Sequence, residues 1–194
     1  MSIAALAARL RQIAPLAEAD LQALAALLKP TRFEPGAHLL EAGPRAHLAH
    51  FVVEGLVREY HLDDQGGEHT RAFSGAGSFT GSLLDLLSGE SSVSWIEALE
   101  PTATLAFEYA AFEALCAERP LLALILRRLT EQLYVRKARR EYELLALPAA
   151  ERLARWEQQQ PELVGRVSGR VLASYLGITP VHLSRLHRVR RESR

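Results

Sequence analysis

The spacing of apolar residues changes along the chain and divides it into three parts. Residues 3–29 are rich in Ala and Leu at helical spacing, with Pro15 and Asp20 as a break, which predicts one or two helices. From 31 to 107, short apolar runs alternate with Pro-Gly, Gly-Pro and Gly-Gly pairs, which is typical of an antiparallel β barrel or roll. From Pro120 the helical spacing returns and continues to the Leu147-Pro148 step.

The stretch from Pro120 to Leu147 predicts one long helix of about 40 Å. Its apolar residues recur at steps of three and four and form a seam of the kind that packs on another helix. The seam consists of Leu122, Ile125, Leu129 and Leu133. A second copy of the chain is the expected partner, since two-fold homodimers are the commonest assembly. The alternative is that the seam packs on the chain's own roll.

Two short helices joined by a tight turn are predicted between Ser168 and Arg191. Ser168 is suited to cap the first helix, and Gly177 permits the left-handed conformation that ends it. Thr179 is a second N-cap, and Pro180 fits the first position of the next helix. This arrangement matches a helix-turn-helix. The expected inner face of the second helix is Leu183, Leu186 and Val189.

The other face of the second helix is basic and points to DNA. Arg185 is the strongest candidate for reading a base, because a guanidinium can bond O6 and N7 of guanine together. The segment from Pro161 onwards contains seven arginines and two glutamates, so its net charge is +5, whereas the whole chain is neutral. A basic C-terminal segment in an otherwise mildly acidic chain favours binding to phosphate groups. An ordinary helical hairpin with a solvated arginine face is the alternative.

Several classes of protein find no support in the sequence. The single cysteine, Cys116, excludes a disulfide framework and a four-thiolate metal site within one chain, and it is expected to be buried. The N-terminal apolar run is interrupted by Arg9 and Arg11, and no run of membrane-spanning length lacks charge, so a cytoplasmic protein is expected. The sequence offers no constellation for an enzyme and none for a metal or cofactor.

The order of these parts resembles the cyclic-nucleotide receptor (Crp/Fnr) family of bacterial transcription regulators. The segments that carry the resemblance are FEPGAHLLEAGPRAHLAHFVVEGLVREY, GSFTGSL, AAERLARW and LASYLGITPVHLSRLHR. It implies an α+β fold: an N-terminal antiparallel, jelly-roll-like β-roll with flanking helices, a dimerisation helix at about 120–147, and a helix-turn-helix. The implied domains are a sensor domain at 1–147 and a DNA-binding domain at 148–194. The chain stops too soon for a full wing after the second helix of the motif.

The resemblance also implies a ligand cassette, which is degenerate in this chain. Ligand-binding members carry Phe-x-Gly-Glu and, about ten residues later, an arginine; the acid binds the ribose and the arginine binds the cyclic phosphate. Ser82 stands at the position of the acid and Ser92 at that of the arginine. Hydrogen bonds to a charged partner are about twice as strong as neutral ones, so we expect neither cyclic AMP nor cyclic GMP as ligand. The remaining pocket comprises Phe79, Gly81, Ser82, Ser92 and Val93.

The family's base-reading positions fall on Pro180, Val181, Ser184 and Arg185. Val181 replaces an acid and offers only apolar contact, as to a thymine methyl. Phosphate contacts fix the register without reading sequence, and Ser168, Arg170 and Thr179 are positioned for them. The full expected DNA surface is Ser168, Arg170, Thr179, Pro180, Val181, His182, Ser184, Arg185, Arg188 and Arg190.

The expected function is a homodimeric, sequence-specific regulator that binds double-stranded DNA and is not an enzyme. RNA polymerase and an unidentified small-molecule effector are further partners that the resemblance leaves open. The alternative is a small-molecule-binding or protein-interaction module whose truncated head no longer binds DNA.

Overall fold

The computed structural model of the chain describes residues 3–192, with side chains up to Arg190. It contains two compact units: one comprises residues up to 60 together with 72–132, and the other comprises 61–71 together with the residues from 133 onwards. The second unit therefore takes in the last part of the long helix and a hairpin tip. The DNA-binding domain predicted at 148–194 includes neither of these segments.

Within residues 3–192, eight strands form two four-stranded antiparallel sheets, as predicted for a roll. The first sheet has the order β1-β8-β3-β6 and the second β2-β7-β4-β5. The strands are β1 (Lys29–Phe33), β2 (His38–Leu40), β3 (Leu48–Glu54), β4 (Leu56–Leu62), β5 (Glu68–Gly75), β6 (Phe79–Thr80), β7 (Trp95–Ala98) and β8 (Thr102–Glu108). Because side chains alternate along a strand, each sheet has one face toward the inside of the roll and one face outward.

Helices α1 (Ile3–Arg11) and α2 (Glu18–Ala25) precede the roll, and α3 (Leu83–Ser88), α4 (Tyr109–Glu118) and α5 (Pro120–Ala146) accompany or follow it. Pro15 lies in the break between α1 and α2, as predicted, whereas Asp20 lies within α2, so its predicted place in the break is wrong. Phe51 of β3 lies in the core formed with the helices, whereas the adjacent Val52 faces the opposite core inside the roll. The sheet is therefore covered on both faces at β3, by the helices on one side and by the inside of the roll on the other.

The predicted dimer seam on α5 is wrong at its first two positions. Leu122 and Ile125 are fully buried in the core of their own unit, and Leu129 packs against the same core. Their periodicity therefore reflects packing on the chain's own roll and helices, which was the alternative. Leu133 is half-buried and remains a prediction.

The second unit contains the end of α5 followed by α6 (Ala149–Gln159), a 3-10 turn (Pro161–Leu163), α7 (Gly169–Leu176) and α8 (Pro180–Glu192). The inner face of α8 is formed by Leu183, which is buried, and Leu186, which is half-buried. Val189 is 56% exposed, so its predicted place on that face is wrong. The described residues end within α8, and the expected absence of a wing remains a prediction.

Two arginines hold these helices together. The guanidinium carbon of Arg140 in α5 lies 3.9 Å from the centre of the Tyr175 ring in α7. Arg152 in α6 donates at 2.9 Å to the carbonyl of Leu176 and at 2.6 Å to that of Leu147. Carbonyls at helix ends have no partner inside the helix. Arg152 therefore satisfies two of these groups and fixes α6 against the end of α7.

No helix among residues 3–192 is both long and apolar enough to cross a lipid bilayer.

Candidate nucleic-acid interface and ligand cassette

The predicted caps of the helix-turn-helix are confirmed by its geometry. The Ser168 hydroxyl accepts a hydrogen bond from the backbone amide of Val171 at 3.3 Å. Gly177 ends α7 in the left-handed conformation, with φ of 65°. The Thr179 hydroxyl accepts from the amide of His182 at 3.2 Å, and Pro180 opens α8. These contacts set the position where the second helix begins.

The first turns of α8 present an exposed face of mixed chemistry. Pro180, Val181, His182, Ser184 and Arg185 are all exposed, and Val181 is 62% exposed. Val189 lies eight residues after Val181, so it extends the same face by two turns. An exposed valine at each end of this face would meet apolar groups on a partner.

Arg185 lies on this face with its charge available. Among the side chains that the structure describes, none forms a hydrogen bond or ion pair with its guanidinium. It therefore keeps all of its donors for a partner outside the chain, as reading a guanine requires.

Two other arginines of the predicted DNA surface already have partners within the second unit. Arg170 Nη2 lies 3.3 Å from Glu68 Oε1, and Arg190 Nη1 lies 2.5 Å from Glu157 Oε2. The Arg170 side chain is exposed and that of Arg190 is partly exposed, so solvent screens both ion pairs and each stabilises the fold only weakly. A phosphate contact from either arginine would have to replace the glutamate.

A contact that the sequence did not predict joins α7 to the tip of the β4–β5 hairpin. The Ser174 hydroxyl accepts from the Thr70 amide at 2.8 Å and donates to the Glu68 carbonyl at 2.7 Å. It also lies 3.0 Å from the Thr70 hydroxyl. The Ser174 hydroxyl therefore bonds to two backbone groups of the edge strand β5, as a neighbouring strand would. Its only sequence signal is a polar residue within the apolar stripe of α7.

The hairpin tip is itself held by Asp63, whose side chain is exposed. Asp63 accepts from the amides of Gln65 and Gly67 at 2.9 and 2.7 Å, and its Oδ2 lies 2.8 Å from His69 Nε2. The hydrogen bond with His69, followed by those from the two amides, lowers the pKa of Asp63. The tip is therefore a closed turn.

Large apolar side chains are exposed toward the end of α5. Tyr134 is 73% exposed, Tyr142 56% and Leu145 81%. Their spacing of eight and three residues places them on one face of the helix. This face is separate from the buried face that carries Leu122 and Ile125.

The cassette residues of the roll have different surroundings from one another. Phe79 packs against Phe51, with ring centres 5.2 Å apart, and so belongs to the helix-side core. Gly81 has φ of 145°, and a Cβ there would lie 3.3 Å from Ala49 Cα, so a side chain would be strained. Val93 is 58% exposed. Of the five predicted pocket residues, only Ser82 and Ser92 have buried polar side chains.

Ser82 and Ser92 lie in one hydrogen-bonded cluster with Ser94 and Asp85. Ser92 Oγ donates to Asp85 Oδ2 at 2.7 Å, and the hydroxyls of Ser82 and Ser94 are 3.0 Å apart. All four side chains are buried. The sequence did not single out Asp85, which follows Ser82 by three residues.

His50 and Cys116 are also buried, and neither belongs to a cluster of metal ligands within residues 3–192. Burial lowers the pKa of His50 to about 4 and raises the pKa of the Cys116 thiol to about 11. His50 is thus neutral, and Cys116 is a protonated thiol in the helix-side core, as its apolar neighbours predicted.

Residues 30–119 match the family model of the cyclic nucleotide-binding domain. FixK2 from Bradyrhizobium japonicum has a similar structure, with a TM-score of 0.76 and 21% identity over 86% of this chain and 85% of that chain. CLP, the c-di-GMP-responsive global regulator of Xanthomonas campestris, gives a TM-score of 0.74 at 16% identity over 91% of this chain and 93% of that one. A structure from Eubacterium rectale assigned to the Crp/Fnr family gives 0.73 at 16% identity, over 94% and 88%. Among curated protein sequences, none matches this chain.

These likenesses define the fold of the chain. Residues 30–119 are similar to the cyclic nucleotide-binding domain, and the fold is that of the Crp/Fnr structures. The predicted order of β-roll, long helix and C-terminal helices is confirmed. CLP and the Eubacterium rectale protein are described as regulators.

Proposed function

We propose that the chain is a cytoplasmic, homodimeric transcription regulator of the Crp/Fnr type that binds specific DNA sequences and is not controlled by cyclic AMP or cyclic GMP. The observation that carries the proposal is the exposed, uncommitted guanidinium of Arg185 on a properly capped second helix. A helix of this kind enters the major groove with its N-terminal residues against base edges. Val181 and Ser184 lie beside Arg185 on the same exposed face.

The exposed apolar face of α5 supports the dimer. Tyr134, Tyr142 and Leu145 expose a row of large side chains that a soluble monomer rarely presents together. We infer that this face pairs with the same face of a second chain, in place of the buried Leu122 and Ile125. Two helix-turn-helix motifs would then bind half-sites about 34 Å apart on one side of the duplex, which requires a near-palindromic operator.

The absence of cyclic-nucleotide control is supported by the chemistry of the cassette. The positions that would hold the ribose and the cyclic phosphate carry Ser82 and Ser92, neither of which can supply a full charge. Both hydroxyls are engaged in the cluster around Asp85. Isothermal titration with either nucleotide should show no micromolar binding, and such binding would contradict this part of the proposal.

The experiment for the proposal as a whole is a mobility shift with genomic fragments in moderate salt, repeated over a series of salt concentrations. Specific fragments should shift at protein concentrations that leave random DNA free, and log K should fall linearly with log salt. Equal binding to all fragments at every salt concentration would contradict sequence-specific recognition.

One observation favours the rival function of a small-molecule-binding or protein-interaction module. Arg170 and Arg190, two expected phosphate contacts, are paired with Glu68 and Glu157. If these two ion pairs do not break, the helix-turn-helix domain would have a lower electrostatic affinity for DNA. The same mobility shift separates the two functions, since the module would show no shift.

A further inference from the structure

Asp85 carries a buried carboxylate without a cation beside it. The residue is 3% exposed. Within the described residues, no arginine, lysine or histidine lies at ion-pair distance from it. Transfer of a lone carboxylate out of water is strongly unfavourable unless hydrogen bonds compensate it. The surroundings of Asp85 must therefore supply those bonds.

One serine hydroxyl donates to the carboxylate directly, and two more buried serine hydroxyls lie in the same cluster. Ser92 Oγ donates to Asp85 Oδ2 at 2.7 Å. Burial raises the pKa of Asp85, but hydrogen bonds from Ser92, Ser82, Ser94 and the Val93 backbone outweigh it, and the pKa lies below its ordinary value. The carboxylate is therefore ionised near neutral pH. The group of Ser82, Ser92 and Ser94 side chains is called the serine cage below.

The serine cage draws its members from two separate segments of the roll. Ser82 stands at the N-cap position of α3, yet its hydroxyl makes no capping bond and lies instead 3.0 Å from the Ser94 hydroxyl. Ser92 and Ser94 precede β7, and the Ser94 amide donates to Ser92 Oγ at 3.1 Å, which orients that hydroxyl. A serine at an N-cap normally bonds to an amide of the first turn. The orientation of Ser82 is thus set by the cage rather than by the helix.

We propose that the serine cage is a carboxylate-binding site whose ligand is the side chain of Asp85, so that the chain itself fills the position where an anionic effector would otherwise dock. The bond from Ser92 to Asp85 and the contact between the Ser82 and Ser94 hydroxyls join α3 to the loop before β7. A second anion cannot enter, because the donors are occupied and Asp85 would repel it. The site takes a small monoanionic carboxylate only after the Asp85 side chain is removed.

Thermal unfolding of the full chain with Asp85→Ala tests this proposal. The substitution removes one carboxylate group, and formate is the free molecule closest to that group. We expect a lower midpoint for Asp85→Ala than for the unaltered chain, and a rise of at least roughly 2 °C when 0.2 M sodium formate replaces sodium chloride at equal ionic strength. Glu90→Ala is the matched control, because Glu90 is an exposed acid in the same segment. Neither the control nor the unaltered chain should respond to formate.

A folded Asp85→Ala variant with no specific response to formate would overturn the proposal, as would an equal response in the control. If Asp85→Ala does not fold, Ser92→Ala leaves the carboxylate in place and removes one of its donors. An NMR titration should then show a higher pKa for Asp85 in Ser92→Ala than in the unaltered chain. An unchanged pKa would refute the serine cage as the group that holds the anion. None of these measurements involves DNA, so their failure is distinct from failure of the proposed regulator function.

Discussion

Arg190 of α8 and Glu157 of α6 form an ion pair in which Nη1 lies 2.5 Å from Oε2. The pair connects the second helix of the motif to the helix that precedes it. An arginine in such a pair contributes little net charge to the surface around it. Glu157 therefore limits how strongly this end of α8 attracts the DNA backbone.

Replacement of Glu157 by Gln should strengthen binding to all DNA sequences alike, because it frees Arg190 and removes one negative charge. The slope of log K against log salt should steepen by about 1, as expected for one additional phosphate contact. Glu151→Gln is the control, since it makes the same change of charge on α6 at a glutamate that pairs with Arg155. Equal effects of the two substitutions would show that Arg190 makes no separate contact.

Replacement of Arg185 by Ala should weaken binding to the operator by about 1–3 kcal/mol and relax the preference at one base. Binding to random duplexes should change far less. Arg185→Lys keeps the charge but cannot form the bidentate contact, so it should behave like Ala in specificity and like the unaltered chain in its salt slope. Equal losses on operator and random DNA would count against a base-reading role for Arg185.

Replacement of Ser174 by Ala should lower the free energy of unfolding by about 1–3 kcal/mol, the cost of a buried donor left without a partner. This donor is the backbone amide of Thr70, which donates to Ser174 Oγ. Thr70 is only 5% exposed. Urea unfolding measures the change, and Ser184→Ala on the exposed face of α8 is the control. If the two variants unfold at the same urea concentration, the hairpin contact does not stabilise the second unit.

Stability should fall as the pH decreases from about 6.5 to 4, because of His50. Burial lowers its pKa from 6.5 to about 4, and the side chain is 2% exposed. The unfolded chain binds a proton in this range and the folded chain does not, so up to about 3 kcal/mol is lost as the pH falls. His50→Gln should flatten this part of the pH profile of unfolding, whereas His47→Gln, at an exposed position, should leave it unchanged. A profile that His50→Gln does not alter would assign the pH dependence to other groups.

Replacement of Leu145 by Glu should shift the protein from dimer to monomer, because Leu145 is 81% exposed on the apolar face of α5. Sedimentation over a range of protein concentrations measures the shift. Val164→Glu places the same charge on an exposed valine outside α5 and should not change the mass. Two variants with the same mass distribution would exclude this face as the dimer contact.

The helix-turn-helix could be predicted closely because its signals are local. Ser168, Gly177, Thr179 and Pro180 each determine the conformation of one or two neighbouring residues, and each occupies the position that its chemistry predicts. The step of three from Leu186 to Val189 predicts an inner position for Val189, because such a step is a helical spacing, but Val189 is exposed. The inner face of the short helix α8 is set by its contacts, which the spacing does not contain.

The remaining differences depend on contacts between distant residues. The apolar stripe of α5 was visible in the sequence, but nothing local shows whether the roll or a second chain covers Leu122 and Ile125. Ser174 and Thr70 lie 104 residues apart, so their hydrogen bond could not be predicted from spacing. The sequence alone shows that Ser82 and Ser92 lack the charges of the family cassette, whereas the role of Asp85 depends on α3 turning that side chain inward.

Selection of bound fragments from randomised duplex DNA by the purified full chain tests the proposed function most directly. The account predicts enrichment of a near-palindromic sequence whose half-sites are about 10 base pairs apart centre to centre, and Arg185→Ala should remove the preference at one position of each half-site. A pool that shows no enriched sequence after repeated rounds, with binding equal to that of the starting pool, would contradict it.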